Sequence, residues 1–116
     1  MTQNSNLSLS PAVVFGSILY TLRLKKGFDQ RAMAKNLEIT QATWSRIENG
    51  HAVPNLDQII TSCVCLDFEL VFVIKLYSEA SLRLAKNGFI IDVKANEVDC
   101  NDTKNLVRKI ISDLVN

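Results

Sequence analysis

The sequence lacks the residue patterns on which most catalytic and metal-binding sites depend. It has a single histidine, no glycine-rich phosphate loop and no cluster of carboxylates. Its three cysteines, Cys63, Cys65 and Cys100, lack the paired spacing of a structural zinc site, which needs four ligands. We therefore expect no metal, no cofactor and no catalytic activity, and we interpret Cys63 and Cys65 as small buried hydrophobic residues.

Long hydrophobic runs and a strong excess of either charge are also absent. The most apolar segment, Leu70 to Tyr77, contains Lys75 and is far too short to span a bilayer. Residues 1–10 lack the basic start and apolar middle of a signal peptide, so we expect a cytoplasmic protein without a membrane segment. The 13 basic and 12 acidic side chains nearly cancel, which excludes a generally basic surface but not a basic face.

Apolar side chains are plentiful, and their spacing predicts helices. They make up 47% of the 116 residues, enough for one compact domain, and aliphatic residues must dominate its core because aromatics contribute only 7%. A first helix is expected from Ser10-Pro11, where serine caps and proline is tolerated, to Gly27. Three further helices are expected after the caps Asp29, Thr40 and Asn55, over Gln30–Leu37, Gln41–Glu48 and about Leu56–Cys65.

The sequence after the third helix is less regular. The expected inner stripe of the fourth helix is Leu56, Ile59, Ile60 and Val64. Asp67 is a candidate cap for a fifth helix that ends at Asn87-Gly88, although the apolar run at 70–74 also suits a buried strand. A short strand from Phe89 to Val93 and a final amphipathic helix from Asp102 or Thr103 are expected to follow.

These elements divide the chain into three parts. Residues 1–10 contain too few apolar groups to be fixed by packing, so we expect a flexible arm. Residues 11–66 are expected to form an all-α domain that is complete by about Leu66. Residues 67–116 are expected to add a small C-terminal α/β extension, which makes the expected fold class mainly α.

The spacing between Gln30 and Ile47 predicts a tight helical pair. Ala34 supplies the small side chain that two steeply crossing helices need at their closest approach, and Ile39 fills the turn between them. Trp44 and Ile47 are three residues apart and are expected to anchor the second helix to the core. The polar side chains of that helix then face outward.

An outward polar helix face of this kind suits the DNA major groove. Glutamine can pair with adenine and arginine with guanine, so Gln41 and Arg46 have the right chemistry, and Ala42 can contact a thymine methyl group. Periodicity alone also allows an ordinary helical hairpin whose polar face meets solvent.

The segment from Gln30 to Gly50 resembles the helix-turn-helix of the phage repressor and Cro family, also called the xenobiotic-response-element family. The Ser-Arg-Ile-Glu-Asn-Gly string at 45–50 is especially similar, and the resemblance covers about residues 12–70. It implies a lambda-repressor-like bundle that binds double-stranded DNA. The first helix of the motif would lie across the DNA backbone, and the second would enter the groove.

The resemblance also implies roles for individual residues. Base-reading positions correspond to Gln41, Ala42 and Arg46. Positions that contact the DNA backbone correspond to Gln30, Thr40, Thr43, Asn49 and His51. One residue departs from the family pattern, because Glu38 occupies a turn position that is usually glycine. A left-handed backbone there costs a non-glycine residue roughly 1 kcal/mol.

The resemblance favours a transcriptional regulator, most simply a repressor that binds a near-palindromic operator as a homodimer. A surplus of apolar residues in the extension predicts that residues 67–116 hold the dimer together; the surplus comprises Val71, Phe72, Leu76 and Leu82. Two alternatives stay open. One is an antitoxin-like DNA-binding protein that binds a protein partner through residues 67–116, and the other is a regulator with a ligand pocket in the extension.

Overall fold

The computed structural model describes residues 7–95 and 101–116, which form six helices and two short strands. In chain order these are β1 (Leu7–Leu9), α1 (Pro11–Lys26), α2 (Gln30–Leu37), α3 (Gln41–Glu48), α4 (Leu56–Leu66), α5 (Leu70–Lys86), β2 (Phe89–Ile91) and α6 (Asn101–Val115). The expected mainly α fold class, a helix-turn-helix bundle with a small α/β extension, is confirmed.

The helix starts follow from the expected capping side chains. The Ser10 hydroxyl accepts from the Ala12 N–H at 3.1 Å, and the Asp29 carboxylate accepts from the Ala32 N–H at 2.7 Å. Asn55 and Gln58 form a reciprocal capping box at the start of α4. Because these bonds satisfy N–H groups that lack a partner within the first helical turn, residues close in sequence determine where these three helices begin.

The expected inner face of α4 is confirmed at Ile59 but is wrong at its other three residues. Leu56, Ile60 and Val64 are 63%, 40% and 75% exposed, whereas the buried apolar residues are Ile59, Cys63 and Leu66. Both sets have helical spacing, so periodicity could not separate them, and contacts with α2 and the other helices select the second. Burial also raises the pKa of the Cys63 thiol, which agrees with its interpretation as a buried hydrophobic residue. Cys65 is half-buried, and Cys100 lies outside the described residues.

Asp67 ends α4 instead of capping α5. Its backbone is left-handed, with φ 57°, and its N–H bonds back to the carbonyl of Val64 at 3.3 Å. α5 starts three residues later, after Glu69, which makes no side-chain cap bond. The helical interpretation of 70–74 is therefore confirmed, but its expected first residue is not.

The expected flexible arm does not extend to residue 10. Leu7–Leu9 pair in parallel with Phe89–Ile91, and the Leu7 N–H donates to the Gly88 carbonyl at 2.8 Å. The Leu9 side chain is fully buried, so this one apolar group is enough to hold the end of the arm against the core. Residues 1–6 of the expected arm lie outside the described residues.

A single hydrophobic core connects the expected domain and the expected extension. α1 lies at its centre and contacts α3, α4, α5 and α6. Fully buried side chains come from both parts of the chain, including Ile18 and Trp44 from one part and Leu84 and Ile111 from the other. Part of the apolar surplus is thereby explained, because Leu76 is buried, Phe72 is half-buried, and only Val71 and Leu82 are exposed.

Candidate DNA-binding surface

The crossing of α2 and α3 depends on Ala34, as its small size predicts. Ala34 is buried, and its carbonyl accepts from the Ile39 N–H at 3.0 Å, which closes the turn between the helices. Met33 is fully buried beside it, and Ile39 is half-buried in the core cluster. The two helices are thus joined by three residues that leave little freedom in their relative orientation.

Glu38 adopts the strained conformation that its position in the turn predicts. Its φ is 57° and its ψ is 41°, which is the left-handed region where glycine has no steric penalty. The Glu38 N–H bonds to the Lys35 carbonyl at 3.1 Å, so the residue ends α2 in the manner of a glycine cap. Its exposed carboxylate lies at the turn, just before the start of α3.

The N-terminal turn of α3 presents several of the predicted contact residues to solvent. The Thr40 hydroxyl accepts from the Thr43 N–H at 3.0 Å and lies 2.8 Å from the Thr43 hydroxyl. Gln41 and Ala42 are exposed next to this cap. A helix N-terminus with exposed N–H groups and a capping hydroxyl attracts anions such as phosphate.

Arg46 is exposed one turn after Ala42, so the two share one face of α3. Its Nη2 donates to the His51 carbonyl at 3.1 Å, and the His51 N–H donates to the Arg46 carbonyl at 2.9 Å. The half-buried His51 is therefore held against the C-terminal end of the helix. The structure brings Gln41, Ala42 and Arg46 together on the outward side of α3.

The inward side of α3 is fixed by a buried charge network that the sequence analysis missed. The Glu48 carboxylate is 1% exposed and accepts from both Nε and Nη2 of Arg23, the latter at 3.0 Å. The fully buried Trp44 donates from Nε1 to Glu48 Oε2 at 2.6 Å. The only sequence signal was the i, i+4 spacing of Trp44 and Glu48, which places a carboxylate on the same inward face as the tryptophan.

Gln30 belongs to this network as well. Its Nε2 donates to Glu48 Oε1 at 2.8 Å, so the side-chain amide nitrogen is directed into the protein. The backbone N–H of Gln30 still lies in the first turn of α2, where amide groups have no partner within the helix. The backbone N–H of Gln30 is therefore better placed than its side chain for the predicted phosphate contact.

Asn49 is attached to α6, which no sequence signal indicated. Its Oδ1 accepts from Lys104 Nζ at 2.8 Å, and its Nδ2 donates to the Ser45 carbonyl at 2.9 Å. Arg108 donates from Nη2 to the Glu48 carbonyl at 3.3 Å, and its guanidinium carbon lies 3.5 Å from the centre of the Tyr20 ring. Two basic side chains thus meet the negative end of the α3 dipole. Burial lowers the pKa of Arg108.

The comparison with known protein families agrees with this geometry. The helix-turn-helix domain family matches residues 14–69, which include most of α1, all of α2 to α4 and every predicted DNA-contact residue. Residues 14–69 are therefore similar to that family. The chain therefore carries a DNA-binding helix-turn-helix domain. Neither the comparison with curated proteins nor the comparison with solved structures gave a match.

The charges around α2 and α3, unlike those of the chain as a whole, have an excess of basic side chains. Between residues 24 and 51 the exposed basic side chains are Lys25, Lys26, Arg31, Lys35 and Arg46. The acidic side chains exposed in the same range are Asp29, which caps α2, and Glu38. Glu48 and Arg23 are buried as an ion pair, so neither charge contributes to this surface. No helix within the described part of the chain is long and apolar enough to cross a membrane.

Proposed function

We propose that the protein is a transcriptional repressor that binds a near-palindromic operator as a homodimer. The observation that carries this proposal is the division of α3 into two sides. Gln41, Ala42 and Arg46 are exposed on one side, while Trp44, Ile47 and Glu48 are at most 1% exposed on the other. A helix held this firmly on one side can present a fixed pattern of side chains to base edges.

The proposed base contacts follow from side-chain chemistry. Gln41 has an amide that can donate to and accept from adenine, and Arg46 can donate two parallel hydrogen bonds to guanine. Ala42 lies between them and offers a methyl group to thymine. Reading by Arg46 requires its guanidinium to turn from the His51 carbonyl, 3.1 Å away, toward a base.

The proposed backbone contacts surround this helix. Thr40 and Thr43 place two hydroxyl groups at the start of α3, and Gln30 offers its backbone N–H at the start of α2. Asn49 and His51 lie at the other end of α3. Contacts at both ends would fix the register of the helix in the groove, which is the usual role of phosphate contacts.

The proposal of a homodimer is supported by the small size of a single helix-turn-helix domain. A single helix-turn-helix buries too little surface for tight and selective binding, whereas two copies on a two-fold site double the contacts. A dimer bound across a promoter excludes polymerase without any catalytic step. The proposed dimer contacts lie in residues 67–116, where Leu82 and Ile90 are exposed.

Selection of bound duplexes from a random pool tests this function. The expected result is an enriched two-fold sequence whose half-site centres lie about 10 bp apart. Affinity for that sequence should fall steeply with salt because phosphate-bound cations are released, even though the net charge is only +1. A pool that shows no enrichment after repeated rounds would contradict sequence-specific regulation.

The antitoxin-like function is the second candidate. It is favoured by apolar side chains of α5 that the fold leaves exposed, Val71 at 59% and Ile74 at 44%. Expression with the neighbouring genes, followed by purification under native conditions, separates the two functions. A stoichiometric partner that is retained by the wild type and lost with Val71→Lys would favour the antitoxin.

A further inference from the structure

β2 has an outer edge whose hydrogen-bonding groups point away from the rest of its sheet. The Leu7 N–H donates to the Gly88 carbonyl at 2.8 Å, and the Asp92 N–H donates to the Leu9 carbonyl at 2.9 Å. Peptide groups alternate in direction along a strand, so the N–H and C=O groups of Phe89 and Ile91 face the opposite side. Within the described residues the sheet consists of β1 and β2 alone.

This edge also lacks charged residues and proline, two features that often prevent a strand from pairing. Residues 88–91 are Gly, Phe, Ile and Ile, without a charge or a proline. Ile90 is 50% exposed, and Val93, two residues beyond the strand, is 82% exposed. An uncharged strand edge flanked by exposed aliphatic groups is suited to forming a further ladder.

The space beside the edge is shaped for an additional strand. An apolar groove of about 500 Å³ runs between β2 and α5. Its α5 side includes Ser78, Ser81 and Ala85, whose small side chains leave room above the helix, and Leu82, which is 62% exposed. A strand placed there would cover Leu82 and continue the sheet across α5.

We propose that a second copy of this chain fills the groove, with the two β2 strands antiparallel and the two Ile90 side chains facing each other on the two-fold axis. In this register Phe89 of each copy lies opposite Ile91 of the other, and each such pair exchanges two N–H···O bonds. All four outward groups of each strand are thereby satisfied by the same four groups of its copy, as an isologous interface requires. The result is a four-stranded sheet.

This sheet would link the proposed dimer axis to α3, the helix that is proposed to contact base edges. β1 leads directly into α1, and α1 packs closely on the end of α3. A Cβ added to Gly16 would lie 2.2 Å from the Ile47 carbonyl oxygen, and one added to Gly50 would lie 2.9 Å from Val13 Cγ2. Such close backbone contact transmits the orientation of the sheet to α3. The inference rests on the proposed homodimer and specifies its interface.

Two opposite charges at position 90 provide the test. Ile90→Lys and Ile90→Glu each place like charges against each other across the two-fold axis, where like charges are destabilising. We expect wild type to sediment as a dimer at micromolar concentration and each variant to be a monomer, with the dimer dissociation constant raised at least about tenfold. Mixing the two variants should restore a 1:1 heterodimer, because the facing charges are then opposite. Since Ile90 is half exposed, both variants should melt like wild type.

Ile60→Lys is the matched control, because Ile60 is also a partly exposed isoleucine but lies on α4. It should remain dimeric. Dimerisation that is lost with Ile60→Lys but retained with both Ile90 variants would overturn the proposed interface, as would a wild-type chain that is monomeric.

Operator binding is measured on the same samples by fluorescence anisotropy. If the proposed interface is overturned but the protein still binds the operator, the proposed DNA-binding function is retained. If the protein does not bind the operator, the proposed function itself is contradicted.

Discussion

At the scale of single residues, a variant of Arg46 can distinguish base-specific contacts from non-specific attraction to phosphate. It is exposed on the outward face of α3, with its guanidinium at the end of the helix. Arg46→Ala should weaken operator binding by about 1–3 kcal/mol and change binding to random DNA much less. Arg31→Ala on α2 is the control, because Arg31 is an exposed basic residue outside the base-reading positions and its loss should weaken binding to both DNAs about equally. Equal losses for Arg46→Ala on the two DNAs would show that Arg46 contacts only phosphate.

Glu48 joins α3 to α1 and α2 through a buried carboxylate. It is 1% exposed, and it accepts hydrogen bonds from Arg23, Gln30 and Trp44. Glu48→Gln should lower the free energy of unfolding by about 3–5 kcal/mol, because it leaves the charge of Arg23 buried without its partner. Denaturant unfolding measures the loss. The control is Glu38→Gln at an exposed position, which should change stability by less than about 0.5 kcal/mol.

Glu38 and Asp67 form a matched pair, because both have φ 57° at a helix end. Glu38→Gly and Asp67→Gly should each stabilise the fold by about 0.5–1 kcal/mol. Glycine removes the steric cost of the left-handed backbone, and this gain is larger than the loss caused by the greater entropy of the unfolded chain. Only Glu38→Gly should also tighten DNA binding at low salt, because only Glu38 places its carboxylate next to the reading helix. Melting curves and anisotropy titrations check the two effects. Equal affinities for both variants would place Glu38 too far from DNA to matter.

At the scale of elements, α6 acts as a support for α3. Arg108 donates to the Glu48 carbonyl and stacks on Tyr20, and Lys104 donates to Asn49. Arg108→Met keeps the aliphatic stem and removes the donors, so amide hydrogens near the end of α3 should exchange faster and operator affinity should fall several-fold. Lys109→Met is the control on the same helix, since Lys109 is exposed and pairs only with Asp113 among the described residues. Unchanged exchange in Arg108→Met would mean that α6 does not hold α3.

The elements also show where sequence information is sufficient. α2 and α3 have the bounds that were predicted, because their caps and stops lie within three residues of their ends. The inner face of α4 was mistaken because two apolar stripes have the same period, and packing with other helices chose between them. The Arg23–Glu48 pair joins residues 25 positions apart, and Lys104 meets Asn49 across 55 positions. Such contacts depend on the finished fold and leave no local pattern to detect.

At the scale of the whole molecule, α1 joins residues 11–66 to the rest of the chain. Its buried residues occur on every side of the helix, including Val13, Val14, Ile18, Leu19 and Leu22. A helix that is apolar all round needs neighbours all round, and α5 and α6 supply part of that cover. The charge network of α3 is likewise completed from α6.

A chain truncated after Leu66 should therefore fail to fold, although the sequence suggested a domain complete at that point. Removing α5, β2 and α6 deletes the buried side chains Val73, Leu84 and Ile111 and uncovers the part of α1 that they pack against. Exposing three or four large apolar side chains costs roughly 1.5–3 kcal/mol each. That sum is comparable with the entire stability of a small domain, about 5–15 kcal/mol.

The truncated chain should show no cooperative thermal transition by circular dichroism and no dispersed amide spectrum, whereas the full chain should show both. A sharp transition in the truncated chain would mean that α1 finds sufficient cover from α3 and α4 alone.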